Sequence, residues 1–220
     1  MITSENTIAQ QLDKLKTRFP NLQIRILEDK IPALAERYDD AQLYEQLILE
    51  CLSFVSAEEP DWTYAAAILH AGLLYREAAQ SRSYDPEERY GSFHGLLREL
   101  TELGIYSSAL LEAYTESDIS DLQEYMVPER DGLFTYIGIK MLSDRYLARS
   151  RDGRLYELPQ ERFMIIAMTL MMKEKRDKRL TLVKEAYWAM SNLYMTVATP
   201  TLSNAGKTWG QLSSCFIETV

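Results

Sequence analysis

The sequence predicts a mainly α-helical domain that carries a short β-hairpin and ends in a β-strand. Three observations predict this class. Apolar residues recur at helical spacing along most of the 220 residues. The pair Asp152-Gly153, which favours a tight hairpin turn, separates two short extended segments. From Leu212 onward the chain becomes a short apolar run that is typical of a strand.

In the first half of the chain, four helices are predicted from apolar stripes that begin at a capping residue or end at a breaker. They are a helix with Ile8, Leu12, Leu15 and Phe19 on one face before Pro20, a helix capped by Asp40, a helix from Trp62 to about Ser81 capped by Asp61, and a helix from Asp85 to near Gly104. The start signal of the helix at Asp85 is strong. Pro86 follows the Asp85 cap at the first helical position, where a missing amide hydrogen loses no helical hydrogen bond.

In the second half, the same signals predict four more helices. The first begins at Thr115-Glu116-Ser117-Asp118. The other three cover Leu133 to Leu147, Pro159 to Lys173, and Asp177 to about Tyr194. The hairpin is expected to pair Tyr146–Arg151 with Arg154–Leu158. Pro200 ends the helical pattern and favours an extended conformation for Thr199. Linkers are expected at Arg82–Tyr84, Pro128–Gly132 and Ser203–Gly210.

The strand at Leu212 to Val220 needs partners, because a lone strand leaves its amide and carbonyl groups unpaired. The helical pattern of the preceding residues offers few candidates. We therefore expect its neighbouring strands to come from another polypeptide or from a continuation of this one.

The charge and the cysteine content exclude several classes of protein. The formal net charge is −9, and lysines and arginines are scattered, so no basic surface for DNA or RNA is expected. The N-terminus has no basic and apolar signal segment, and no apolar run approaches the length of a membrane span. Two cysteines without CxxC spacing fit a reducing compartment. We expect a cytoplasmic protein.

Cys215 is the first candidate for chemistry, and its neighbours leave two interpretations open. Beside Phe216 and Ile217 it is either a small buried apolar residue, which is the commoner case, or a reactive thiol. Cys51 lies on the apolar stripe of its predicted helix and is expected in the core. His70 and His94 have no ligand partners at metal spacing, so no metal site is expected.

Thr199 and Ser214 are the other candidates. Both are hydroxyl residues near Gly206 and Gly210, where small side chains and free amides suit an anionic diphosphate group. A plain Ser/Thr-rich turn is the alternative.

The stretch from Ala198 to Ile217 resembles the large, catalytic subunit of class I ribonucleotide reductases. The resemblance rests on the order and spacing of Thr199-Pro200, Asn204-Ala205-Gly206 and Ser213-Ser214-Cys215. It extends backward, with less specific matches at Glu59 to Ala66 and at Leu133 to Glu157, and covers residues from about 40 to 220.

The resemblance implies a radical-based reduction of ribonucleoside diphosphates to 2′-deoxyribonucleoside diphosphates. Cys215 corresponds to one redox thiol of the reducing pair and also touches substrate; Thr199 and Ser214 correspond to substrate contacts. The implied partners are the C-terminal portion of the large subunit, the substrate, and a metal-containing small subunit that supplies the radical. A thioredoxin- or glutaredoxin-type reductant is also implied, and no cofactor is expected in this chain itself.

The resemblance also implies a domain division. Residues 1–200 are expected to form the helical N-terminal domain, without a recognisable ATP-cone motif and hence without inhibition by dATP through a cone. Residues 201–220 would begin a 10-stranded α/β catalytic barrel that another chain or a missing segment completes. The second redox cysteine and the radical cysteine lie further along the family's chain, so the chain is expected to be the N-terminal part of a large subunit, either one half of a naturally split subunit or a separately prepared piece. The alternative is a helical scaffold or adaptor that docks through its C-terminal strand.

Overall fold

A computed structural model describes residues 4–215 and Ile217. The described residues are mainly helical. The helices are α1 (Ser4–Arg18), α2 (Arg25–Ala35), α3 (Asp40–Ser53), α4 (Trp62–Arg82), α5 (Phe93–Glu102), α6 (Ala109–Ala113), α7 (Glu116–Tyr125), α8 (Tyr136–Arg145), α9 (Pro159–Met171), α10 (Arg176–Ser191) and α11 (Thr199–Asn204), with short 3-10 helices at Pro86–Glu88 and Pro128–Leu133.

The chain divides into two compact units. The first comprises the residues up to Leu74 together with Asp131–Met141. Its core is built from the apolar faces of α1 and α3 and from the start of α4. Tyr44 on α3 and Trp62 on α4 are almost fully buried in it. The helical spacing of Ile8, Leu12 and Leu15 places all three in this core, as their periodicity predicts.

The second unit comprises Tyr75–Arg130 and the residues from Leu142 onward. Its centre is α9, which packs against α10 and α11. Every α9 residue from Pro159 to Met168 is buried, so this helix has no solvent face over that length. A helix that is apolar nearly all round is expected at the centre of a core. Here, however, its first turn also takes charged side chains into the core.

Several helix predictions are confirmed. The predicted helix from Trp62 to about Ser81 corresponds to α4, and the predictions at Pro159 and Asp177 correspond to α9 and α10. Thr115 caps α7 through a capping box with Asp118, in which each side chain accepts a hydrogen bond from the other residue's amide.

The helix predicted from Asp85 to near Gly104 is wrong as one element. Asp85 does accept a hydrogen bond from the amide of Glu87, but it caps only the short 3-10 helix. Arg89 has a positive φ of 57°, which ends the helical geometry, and Ser92 starts α5 separately by accepting from Gly95. The start of α3 is also shifted, since Asp39 rather than Asp40 is its cap.

The expectation of an extended Thr199 and of a linker beginning at Ser203 is wrong as well. Thr199 is the first residue of α11, with Pro200 in the first turn, and Ser203 and Asn204 complete the helix. Proline is tolerated there because the amides of a first turn have no intrahelical partner. The residue that precedes the helix in an extended conformation is Ala198.

The predicted hairpin and terminal strand are not confirmed. Asp152-Gly153 does form a turn, with Gly153 at a φ of +89°, but the flanking segments share a single antiparallel bridge between Arg149 and Leu155. The structure assigns no strand to Leu212–Cys215. Phe216 and residues 218–220 of the predicted barrel strand lie outside the described residues.

Candidate functional site

The segment that carries the predicted site residues consists of α11 and the loop from Ala205 to Cys215. Its first part pairs with the turn that follows α5. Tyr106 and Lys207 form an antiparallel bridge, the amide of Ser107 donates to the carbonyl of Gly206 at 2.9 Å, and the amide of Thr208 donates to the carbonyl of Ile105 at 3.0 Å. The loop is thereby fixed by backbone hydrogen bonds to a segment about a hundred residues earlier in the sequence.

Gly206 makes this close approach possible. Its φ is +78°, which a residue with a side chain rarely adopts. A Cβ atom at this position would also lie 2.6 Å from Cγ2 of Ile165 on α9. The glycine of the Asn-Ala-Gly motif therefore serves two purposes, a left-handed turn and contact with the central helix.

A buried ion pair lies beneath the loop. Arg162 on α9 and Glu157 are both fully buried, with 3.2 Å between Nη1 and Oε1. Nη2 of Arg162 donates to the carbonyl of Ala205, while the carboxylate of Glu157 accepts from the hydroxyl of Tyr106 and, at 2.7 Å, from the amide of Ala148. Each charge thus has a partner of opposite sign and further hydrogen bonds, which stabilise a buried ion pair, although Nε of Arg162 has no hydrogen-bond partner among the described residues.

Tyr106 acts in this cluster as a neutral phenol. Burial raises its pKa well above the ordinary value, the neighbouring Glu157 carboxylate raises it further, and Arg162 opposes the change. The hydroxyl therefore keeps its proton at neutral pH and donates it in the hydrogen bond to Glu157.

A second buried pair lies at the start of α9. Nη1 of Arg82 is 2.8 Å from Oε1 of Glu161, and the Glu161 carboxylate also accepts from the amide of Leu158 at 2.8 Å. Burial raises the pKa of Glu161 to about 7, against the opposing effect of Arg82. Although burial would lower the pKa of Arg82, the Glu161 carboxylate raises it overall, so that the arginine keeps its charge.

The second part of the loop is fastened to α11 by two side chains. The hydroxyl of Thr201, which is buried, donates to the carbonyl of Leu212 at 2.8 Å. Nδ2 of Asn204 donates to the carbonyl of Gln211 at 2.9 Å. These bonds fold the chain back over the helix and set the position from which Ser213, Ser214 and Cys215 continue.

The predicted site residues lie at the surface of this segment. Thr199 is exposed at the first position of α11, and Ser214 and Cys215 are exposed at the end of the loop. Oγ of Ser214 lies 3.9 Å from Sγ of Cys215. Among the described residues, Thr199 makes no hydrogen bond to either of them. Ser214 and Cys215 are adjacent because they are neighbours in the chain, and in the part of the chain that the structure describes no bond joins Thr199 to either.

An exposed Cys215 differs from Cys51, which is fully buried and whose thiol has a pKa that burial raises to about 12. A thiol must be accessible and form a thiolate to react. Cys215 meets the first of these conditions and Cys51 meets neither.

Sequence reasoning missed the buried polar residues that hold the loop or support the helix beneath it, namely Tyr106, Glu157, Glu161, Arg162 and Thr201. One signal could have found two of them. Glu161 and Arg162 immediately precede the longest apolar run of the chain, Phe163 to Met172. Because a helix that is apolar all round lies in a core, charged residues in its first turn are expected to be buried and paired.

The described part of the chain has neither a metal-binding cluster of side chains nor a helix that could span a membrane. No three His, Cys, Asp or Glu side chains within it are grouped so that they could hold a metal ion. None of its helices combines the length and the apolar character that a membrane span needs.

Comparison with known proteins gives one family match. Residues 132–210 match the family described as "Ribonucleotide reductase, all-alpha domain". This range runs from the end of the second 3-10 helix through α11 to Gly210. It therefore contains both buried ion-pair residues of α9 and the Asn-Ala-Gly loop.

Curated relatives agree with this match. The chain is 36% identical over 203 residues to the ribonucleoside-diphosphate reductase subunit alpha of Treponema pallidum, covering 92% of this chain and 24% of the relative. It is 33% identical over 230 residues to the ribonucleoside-diphosphate reductase subunit alpha of Chlamydia muridarum, covering 100% of this chain and 21% of the relative. It is 31% identical over 178 residues to the ribonucleoside-diphosphate reductase 1 subunit alpha of Salmonella typhimurium, covering 80% of this chain and 23% of the relative. The chain thus spans between a fifth and a quarter of the length of these relatives.

Proposed function

The chain belongs to the ribonucleotide reductase family, in which it corresponds to the N-terminal, all-alpha region of the alpha subunit, and on this premise we propose that it works as that part of a ribonucleoside-diphosphate reductase. The proposed reaction is the radical-based reduction of ribonucleoside diphosphates to 2′-deoxyribonucleoside diphosphates. The observation that carries the proposal is the segment from Thr199 to Cys215, which has the family's motif and ends in an exposed thiol.

In this proposal Cys215 is one thiol of the reducing pair. The pair supplies two electrons and two protons to the substrate: the C2′ hydroxyl leaves as water, a hydrogen takes its place, and the two sulfurs join in a disulfide. Disulfide formation requires that the second sulfur approach closely, with Cα atoms about 4.4–6.8 Å apart. The exposure of Cys215 supports this role, since a sealed thiol could meet neither substrate nor partner.

The second cysteine of the pair is proposed to come from the catalytic barrel. Residues 201–220 would form the beginning of that barrel, and its remaining strands would be supplied by the C-terminal portion of the alpha subunit. Residues 1–200 would form the helical domain that supports it. The terminal strand would acquire its neighbours only in that assembly, which is consistent with the irregular backbone of Leu212–Cys215 here.

Thr199 and Ser214 are proposed to contact substrate. Both hydroxyls are exposed and can donate or accept hydrogen bonds. Ser214 adjoins the Cys215 sulfur at 3.9 Å, so it would contact substrate near the reacting carbon, and Thr199 would contact the diphosphate.

The buried pair Arg162–Glu157 is proposed to position this segment rather than to react. Arg162 contacts the loop at the Ala205 carbonyl, ten residues before the thiol. A cysteine that must reach both a sugar carbon and a second sulfur has to be held within about 0.5 Å of its working position. A loop fixed to the central helix by a buried guanidinium provides such support.

The proposed partners are a metal-containing small subunit that generates the radical and a thioredoxin- or glutaredoxin-type protein that reduces the disulfide. This division of labour assigns no cofactor to the chain, and the proposed location is the cytoplasm.

The proposal is tested by combining this chain with the remainder of an alpha subunit, either fused to it or as a separate polypeptide. The small subunit, a dithiol reductant and a ribonucleoside diphosphate are then added. Formation of the 2′-deoxy product is expected. In Cys215→Ser, multiple turnover should be lost while the association of the subunits is unchanged.

Cys51→Ala is the matched control, because it removes the other cysteine thiol, which is buried. It should reduce stability but not abolish turnover. If Cys215→Ser turned over as fast as the unchanged chain, the catalytic role would be refuted and a purely structural or adaptor role would be favoured.

A further inference from the structure

A small basic cavity opens beside the Asn-Ala-Gly loop. It lies between the turn after α5, the turn that begins at Ala148, and the loop residues Lys207 and Trp209, and its volume is about 220 Å³. Cavities for drug-sized ligands are usually larger than about 300 Å³, so this one suits a smaller molecule.

The charge of the cavity is opposite to that of the whole chain. Its lining includes Arg149, Arg151 and Lys207 and no aspartate or glutamate. The chain as a whole has a formal net charge of −9. Three cationic side chains around a concave surface concentrate positive potential, which favours an anion.

The donors of the cavity are only partly used. Among the described residues, Arg151 makes no hydrogen bond or ion pair and is exposed. Nζ of Lys207 has one long hydrogen bond, 3.4 Å to the carbonyl of Tyr146. Arg149 is more engaged, since Nη1 donates to the Gly153 carbonyl at 2.9 Å and lies 3.7 Å from Glu77.

Lys207 is held in this position against the cost of burial. Burial lowers its pKa, Glu157 opposes that effect, and the Arg162 guanidinium adds to it. An anion in the cavity would relieve this cost by pairing with the ammonium group.

Trp209 adds an aromatic surface at the rim. It is 72% exposed, whereas Trp62 is 1% exposed. Indole rings are usually buried in part, and an exposed one beside cationic groups can stack on a planar ring of a ligand. The bridge at Lys207 and the hydrogen bonds of Thr208 to Gly104 and Ile105 fix the backbone next to it.

We propose that this cavity binds a small phosphorylated aromatic compound, with its phosphate on Arg151, Lys207 and Arg149 and its ring on Trp209. A phosphate has several acceptor oxygens and pairs well with guanidinium groups. The site involves neither Cys215 nor Thr199, so it stands independently of the proposed reductase activity.

The test is a titration of the full chain with phenyl phosphate at constant ionic strength, in which the NMR signals of the tryptophan indole groups are monitored. Inorganic phosphate and phenol are titrated separately as the two halves of the probe. We expect phenyl phosphate to bind saturably and to shift the Trp209 signal. The Trp209→Phe variant assigns that signal, because it lacks it. Phenyl phosphate should bind more tightly than either half.

Arg151→Ala should weaken this binding about tenfold, the effect of losing one charge-assisted hydrogen bond. Arg176→Ala is the matched control, because it removes the same charge from an exposed position that does not line the cavity. Trp209→Ala should remove the advantage of phenyl phosphate over inorganic phosphate. Absence of saturable binding, or equal weakening by Arg151→Ala and Arg176→Ala, would overturn the proposal.

Discussion

Arg162 donates a hydrogen bond from Nη2 to the carbonyl of Ala205, so a fully buried charge on the central helix holds the loop of the Asn-Ala-Gly motif. The same guanidinium pairs with Glu157 at 3.2 Å. One side chain therefore couples the core of the second unit to the segment that leads to Cys215. Both the stability of that unit and the position of the loop are expected to depend on it.

Arg162→Met should destabilise the chain by about 3–5 kcal/mol, because it leaves the Glu157 carboxylate buried without its counter-charge. Urea unfolding measures this loss. The double variant Arg162→Met/Glu157→Met should lose less than the single variant, since no uncompensated charge remains. Arg176→Met, at an exposed position, serves as the control and should change stability little. A double variant less stable than the single one would contradict this account.

Gly206→Ala should be more destabilising than Gly153→Ala. Both glycines have a positive φ, +78° and +89°, so both variants incur the backbone strain of about 1 kcal/mol. Only at Gly206 does the added Cβ meet another atom, Cγ2 of Ile165 at 2.6 Å, and overpacking adds about 1–3 kcal/mol. Chemical denaturation of the two variants measures the difference. Equal losses would show that the loop moves away from α9 without cost.

The stability of the chain should carry a pH dependence that comes from Glu161. Burial raises the pKa of Glu161 from its ordinary value of 4.5 to about 7 in the folded protein. Between these values the folded state binds more protons than the unfolded state. The contribution of this proton to stability is therefore fully present below pH 4.5 and is lost as the pH rises through about 7.

This dependence is measured as the free energy of unfolding of the unchanged chain minus that of Glu161→Gln. The difference should decrease as the pH rises from 4.5 to 7, because glutamine does not titrate. Glu124→Gln, at an exposed position on α7, is the control. A difference that stays constant, or grows, over this range would be the contrary result.

The two cysteines should react differently with iodoacetamide. In the folded chain only Cys215 should be modified, because it is exposed, whereas Cys51 is fully buried and has a pKa raised to about 12. Mass spectrometry should detect one adduct in the native protein and two after unfolding. Native Cys215→Ser should acquire none. Rapid labelling of Cys51 in the native state would mean that the core of the first unit opens readily.

The sequence predicted the helices best where the signals were local. Thr115 and Asp118 lie three residues apart and form a capping box at the predicted helix start, without help from the rest of the chain. Asp85-Pro86 was an equally good start signal, but the helix it begins ends within one turn because Arg89 turns the chain. The helix α2 was missed, since Pro32 lies inside it and Ile24, the residue before its first turn, provides no side-chain cap.

The candidate site was predicted in part. The motif residues were identified from the sequence, and the exposure of Thr199, Ser214 and Cys215 leaves their proposed roles open to test. The residues that support them were not identified. Charged and polar side chains next to an apolar run give no local sign of whether they face solvent or a partner in the core.

The sequence by itself determined the helical class, the family and the motif that carries the proposed thiol, because periodicity, caps and motif spacing involve residues close together in the chain. Only the tertiary structure decided that Arg162 reaches Ala205, 43 residues away, and that Thr208 bonds to Gly104, 104 residues away. Such pairings depend on how whole helices pack, and the free energy that selects them comes from burial of many residues at once rather than from any short segment.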